Sequence, residues 1–121
     1  MTNEQQREIL EAAAKACGAV IDKSFNPSFF NGSVIPYGQL VVINEQGGHS
    51  LWNSLTNPAD CAEMCAKLDI NTYWWPEYVD CTTQNISCDI PHNGTPEGKE
   101  SAWRLAASMV AAKVGGYTDD I

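Results

Sequence analysis

Leu51-Trp52-Asn53-Ser54-Leu55-Thr56-Asn57-Pro58-Ala59-Asp60, running straight into Cys61-Ala62-Glu63-Met64-Cys65-Ala66-Lys67-Leu68, decides how the rest of the chain is read. Asn57 is suited to accept from unpaired amides as an N-cap. Pro58 at the first helical position lacks an amide that would go unused there, and Asp60 suits the positive helix end. Cys61, Met64, Cys65 and Leu68 then recur at i, i+3, i+4 and i+7, so a helix over about 58–68 buries one face. Trp52 leads into this start from a polar loop. It reads as a large apolar anchor for a loop that must deliver Asn57 and Pro58, and as a wall of any site nearby.

Two more helices follow by the same local chemistry. Thr2 and Gln5 have capping-box spacing, and Ile9, Leu10, Ala13, Ala16 and Cys17 make an apolar stripe closed by Gly18, predicting a helix over about 3–17. Thr95 with Pro96 and Glu97 starts a third, which runs to about Val114 and stops at Gly115-Gly116. On it, Trp103 is in phase with Ala106, Val110 and Val114 and is assigned to the core. Apolar residues cover more of this helix than one stripe, which predicts a two-fold partner, a homodimer.

Between the helices, Ala19-Val20-Ile21 reads as a short strand, and Tyr37 to Ile43 as the strongest strand in the chain. Ile70 to Trp75 is a strand halted by Pro76. Tyr78 to Ile90 holds another strand or a hairpin arm, with Ile86, Cys88 and Ile90 alternating against Ser87 and Asp89. Residues 24–33 read as a turn-rich loop carrying Phe25, Phe29 and Phe30, and Pro91-His92-Asn93-Gly94 as a turn. The order α-β-β-α-β-β-α leaves no room for parallel crossovers. The expected fold is α+β, a small antiparallel sheet packed with three helices, as a single domain over 1–116 with a frayed tail at 117–121.

The 121 residues carry seven Lys/Arg against 15 Asp/Glu, a formal charge of −8. The stretches between Lys23, Lys67 and Lys99 contain no other Lys or Arg, so binding along a nucleic-acid backbone is disfavoured. The opening Met1-Thr2-Asn3-Glu4 has no apolar leader-like region, and no apolar run is long enough to span a bilayer. The five cysteines, at 17, 61, 65, 81 and 88, are then expected as reduced cytosolic thiols, and the Asn-x-Ser/Thr triplets at 31, 85 and 93 as chance matches. Cys61 and Cys65 with Cys81, Cys88 or His92 make a notional zinc set. Their Cys-x₃-Cys spacing on a buried helix face is that of core, so no metal and no cofactor is expected.

No residue pattern supplies a reaction. His49 after Gly47-Gly48 and His92 beside Asn93 lack a locally activated nucleophile, and the glycine pair lacks the lysine of a phosphate-gripping loop. The aromatics are more telling. Trp74 and Trp75 must point to opposite faces of a strand, so a single core can take only one of them.

The Trp52-Asn53…Leu55-Thr56…Asp60 block, with the first helix and a final Ala-rich helix reading Ser101-Ala102-Trp103-Arg104-Leu105-Ala106-Ala107, resembles small accessory proteins of tailed phages of the NinX-like "Trp-Asn-Pro-Leu-Thr" type. Ser54 stands where that family has proline, and Trp74-Trp75 and the Phe-rich loop are not features of it. The resemblance implies a phage-encoded protein of the host cytoplasm that antagonises host defence without catalysis. Two readings follow. One is a stoichiometric inhibitor of a host protein, centred on Trp52 with Trp74 or Trp75 and ringed by Glu45, Glu77 and Asp80. The other is a sponge for an anionic nucleotide-type signal. It would use stacking on Trp52, Trp74 or Trp75, a wall at Asn53, and His49, His92 and Arg104 as cationic partners. Amides at Gly47-Gly48 or the third helix start would receive phosphate.

Overall fold

The computed structural model describes residues 2–22, 29–30, 33–34, 40–43 and 46–118. Helix α1 (Asn3–Ala16) starts on a reciprocal capping box: Gln5 N–H donates to Thr2 Oγ1 at 3.1 Å, and Thr2 N–H donates to Gln5 Oε1 at 2.8 Å. Helix α2 (Pro58–Leu68) is capped by Asn57, whose Oδ1 accepts from Ala59 N–H at 2.9 Å, and α3 (Pro96–Val114) by Thr95, whose Oγ1 accepts from Gly98 N–H at 3.0 Å. All three helices end alike. The N–H of Ala19, Ile70 and Tyr117 reaches back to the carbonyl of Ala14, Cys65 and Ala112, across a left-handed residue at Gly18, Asp69 and Gly116. Two of those three positions are glycine, which enters this region without strain; Asp69 does so at φ 53°.

The strands β1 (Val20–Ile21), β4 (Leu40–Ile43) and β5 (His49–Trp52) form one antiparallel sheet in the order β1-β4-β5. β6 (Asn71–Trp74), β7 (Tyr78–Thr83) and β8 (Ile86–Pro91) form a second, in that order. A two-residue pair, β2 (Phe29–Phe30) with β3 (Ser33–Val34), lies between β1 and β4 in sequence. The α+β class, the three helices and the antiparallel pairing are as the sequence predicts. Three details differ.

First, the strands divide between two sheets instead of one, because each curls over its own helix. Leu10 and Ala14 of α1 pack with Leu40 and Val42 of the first sheet, whereas Val79 and Cys81 of the second pack on α3. Second, Trp52 lies not in a polar loop but at the end of β5, opposite Leu40. His49 and Ser50 hide this strand from a hydrophobicity reading. Third, residues 29–30 and 33–34 pair as a minimal ladder inside the expected Phe-rich loop. The expected strand over 37–43 is seen from Leu40, and its beginning at Tyr37 lies outside the described residues, as do Phe25 and Glu45.

Helix α3 is the centre of the core. Ala102, Ala106, Ala107, Ser108, Val110, Ala111 and Ala112 are all buried, between α1 and α2 on one side and β7 and β8 on the other. The alanine part of the apolar excess that predicts a two-fold partner is covered within the chain, and Leu105 and Met109 are partly buried. Trp103 packs against this core, as predicted, and its indole N–H donates to Thr72 Oγ1 at 3.2 Å. Tyr117, expected to fray with the tail, packs on the core below Gly116; residues 119–121 lie outside the described set.

Candidate functional site

The block 52–60 is a junction. The Trp52 indole packs on both apolar clusters, that of α1 with the first sheet and that of α3 with the second. Asn53 is buried, and its Oδ1 accepts from Leu55 N–H at 2.9 Å and Thr56 N–H at 3.1 Å. Its own N–H donates to Asp60 Oδ2 at 3.0 Å, tying the loop to the first turn of α2. Ser54 Oγ meets Ser108 Oγ of α3 at 2.7 Å, both fully buried. Arg104 Nε donates to the Leu55 carbonyl at 2.9 Å, and its guanidinium also pairs with Glu100. Asn53 and Arg104 thus hold the loop between two helices.

Trp52 is also exposed on one side to a cleft. With Val42, Ser50, Asp60, Glu63 and Lys67 it lines a cleft of about 520 Å³ between the first sheet and α2. Lys67 is 3.1 Å from Glu63, and Asp60 supplies a further carboxylate, so this cleft is poorly matched to an anion. His49, on the same strand, has Nε2 2.7 Å from Asp22 Oδ2.

Trp74, Trp75 and His92 come together at the far end of the second sheet. His92 Nδ1 accepts from Gly94 N–H at 3.0 Å, so Nε2 carries the proton and donates to the Trp75 carbonyl at 2.9 Å. Both ring nitrogens are used in closing the turn before α3. Trp74 and Trp75 do point to opposite faces. Trp74 lines a cleft of about 430 Å³ with Pro96, Lys99, Glu100 and Trp103 on the α3 side. Trp75 stacks on Tyr78, ring centres 5.9 Å apart, on the other side. Neither is buried: Tyr73, Trp74 and Trp75 are 51%, 52% and 50% exposed. The Trp52 and Trp74 clefts share no lining residue.

The start of α3, a notional phosphate cradle, is filled by the chain itself. Asn93 Oδ1 accepts from both the N–H and the hydroxyl of Thr95, and lies where any Cβ on Gly98 would fall. The thiols sit in and around the core. Cys65 accepts the S–H of Cys61, and that bond and burial push the Cys61 pKa up while the same bond draws that of Cys65 down. Burial raises Cys81 to about 11 and also raises Cys17. Among the described residues no group of three or more His, Cys, Asp or Glu is arranged to hold a metal ion. None of their helices is long and apolar enough to cross a membrane.

A feature the sequence reading missed lies on the far face of the second sheet. Val79, Cys81 and Thr83 of β7 turn toward α3 and are buried, so Tyr78, Asp80 and Thr82 face away. Register places Tyr73 and Asp89 on either side of Asp80. Asp80 and Asp89 are hydrogen-bonded to each other. Desolvation first, then that bond and the charge of Asp89, hold the Asp80 carboxyl above the usual aspartate range. Asp80 Oδ1 is shielded from solvent and has no partner among the described residues.

No family model matches the chain, and no solved structure matches it significantly. It is similar to the serine/threonine-protein kinase PknI of Mycobacterium bovis and of Mycobacterium tuberculosis, 26% identical over 84 residues. That stretch is 64% of this chain and only 14% of the kinase.

Proposed function

We propose that this chain is a non-enzymatic binding protein that acts by stoichiometric occupation of another protein, with the aromatic end of the second sheet as its contact surface. The observation that carries this reading is the consecutive exposure of Tyr73, Trp74 and Trp75, each about half open to solvent. Large aromatics left uncovered beside one another are costly to keep in water and are typical anchors of protein interfaces. The resemblance of the 52–60 block to accessory proteins of tailed phages makes the target a host defence protein of the host cytoplasm, and the charge of −8 favours a basic groove on it.

The sponge reading has less support. Arg104 is committed to Leu55 and Glu100, His92 closes a turn with both nitrogens, His49 is paired with Asp22, and Asn93 and Thr95 fill the α3 start. The test is capture of partners from a bacterial lysate by the parent and by Trp74→Ala with Trp75→Ala. Loss of a partner by a variant that melts like the parent supports the surface; retention of every partner defeats it.

A further inference from the structure

We infer that Cys81 and Cys88 form a reversible modification site: a cross-strand thiol pair that closes to a disulfide by exchange with a small-molecule disulfide and ties β7 to β8. The register sets the two directly opposite, two rungs from the Thr83–Ile86 pair that closes the hairpin. His92 N–H donates to the Glu77 carbonyl at 3.0 Å, and alternation from that rung makes Cys81 and Cys88 a hydrogen-bonded pair. Such a pair keeps its Cα atoms about 5.5 Å apart, within the span of an ordinary disulfide. Both side chains turn to the α3 face. Cys81 is buried in line with Val79 and Thr83 along β7, and Cys88 stands in line with Ile86 and Ile90 along β8, partly open and packed on the same cluster.

All five cysteines lie in or against the cluster around α3, and Cys61 and Cys65 are also neighbours, one turn apart on α2. Cβ atoms one helical turn apart stand about 5–6 Å from each other, against about 4.5–5.5 Å across facing strands, and a disulfide draws them to about 3.8 Å. Two strands make up that difference by local twist, whereas α2 would have to break its own hydrogen-bond ladder. The exchange balances in two steps. The Cys88 thiolate attacks one sulfur of the small disulfide, breaking its S–S bond and releasing one small thiolate. The Cys81 thiolate then attacks the Cys88 sulfur of the mixed disulfide, forming the Cys81–Cys88 bond and releasing the second. Two protein thiols are oxidised, the small disulfide is reduced to two thiols, and those thiols take up the two protons. β8 ends the order β6-β7-β8, so the bond fastens a strand held by the sheet on one side.

The full chain is equilibrated in glutathione buffers of graded oxidised-to-reduced ratio, quenched in acid, alkylated and mapped by mass spectrometry. The expected result is a species lighter by two hydrogens, with the Cys81 peptide joined to the Cys88 peptide and the bond reversed by dithiothreitol. Thr72 Oγ1 stands 3.7 Å from Cys81 Sγ and accepts the Trp103 indole N–H at 3.2 Å, so drawing Cys81 toward Cys88 should shift the Trp103 indole resonance. The β8 amides should exchange more slowly in the oxidised chain. Cys88→Ser, at a partly open position, should abolish the two-hydrogen loss, and Cys65→Ser should leave it intact. The assignment is overturned by a bond mapped to any other pair, by mixed glutathione disulfides alone at every ratio, by a two-hydrogen loss that persists in Cys88→Ser, or by a bond that forms only after unfolding in urea. Mapping of the parent needs no variant, so a Cys88→Ser chain that failed to fold would leave the test decisive.

Discussion

At the scale of single residues, the polar atoms buried in the 53–60 loop do more than cap a helix. Ser54 and Ser108 bond only across 54 positions of sequence, in a region from which water is excluded. Removing one hydroxyl strands the other, so Ser54→Ala or Ser108→Ala should each lose about 2 kcal/mol. The double variant should recover most of it, and a double-mutant cycle in urea checks this: additive losses would refute it. Trp52→Ala should lose about 3 kcal/mol, because a large ring in contact with both apolar clusters disappears. A parent-like melt would mean that the ring anchors nothing.

At the scale of elements, α1 and α3 approach each other closely at Gly115 and Ala12. A Cβ on Gly115 would sit 1.9 Å from the Ala12 carbonyl oxygen, at an ordinary negative φ of −79°, so this glycine is needed for space and not for conformation. Gly115→Ala should force the helices apart and lose about 3 kcal/mol, with the loss read as an earlier thermal midpoint. Helices were the legible part of this fold. Thr2 with Gln5, Asn57 with Pro58, and Thr95 with Pro96 each place their partners within a few residues, so the bounds follow from local chemistry. The β5 strand was not legible, because His49-Ser50-Leu51-Trp52 becomes a strand only by pairing with β4. The candidate site divides the same way. Exposure of one of Trp74 and Trp75 follows from strand alternation, whereas the Arg104 bond to Leu55 spans 49 positions and the Asp80–Asp89 pairing depends on hairpin register.

For the molecule as a whole, the Asp80 carboxyl couples stability to acidity. Its pKa is raised in the folded chain, so the native state holds a proton more tightly than the unfolded one. Stability from this group is therefore fully present below the unfolded aspartate value and is lost as pH rises through the folded one. Asp80→Asn should accordingly be more stable than the parent at neutral pH, with an advantage that shrinks to nothing in acid. Urea midpoints of both proteins across that range decide it, and an advantage independent of pH would contradict the sign. A different consequence attaches to α3, the helix against which α1, α2, β7 and β8 are all laid. A ribosome makes these partners first and their common support afterwards. Until residue 114 has left the exit tunnel, Ile9, Ala13, Met64 and Val79 lack the helix they share, so this cluster is the last to close.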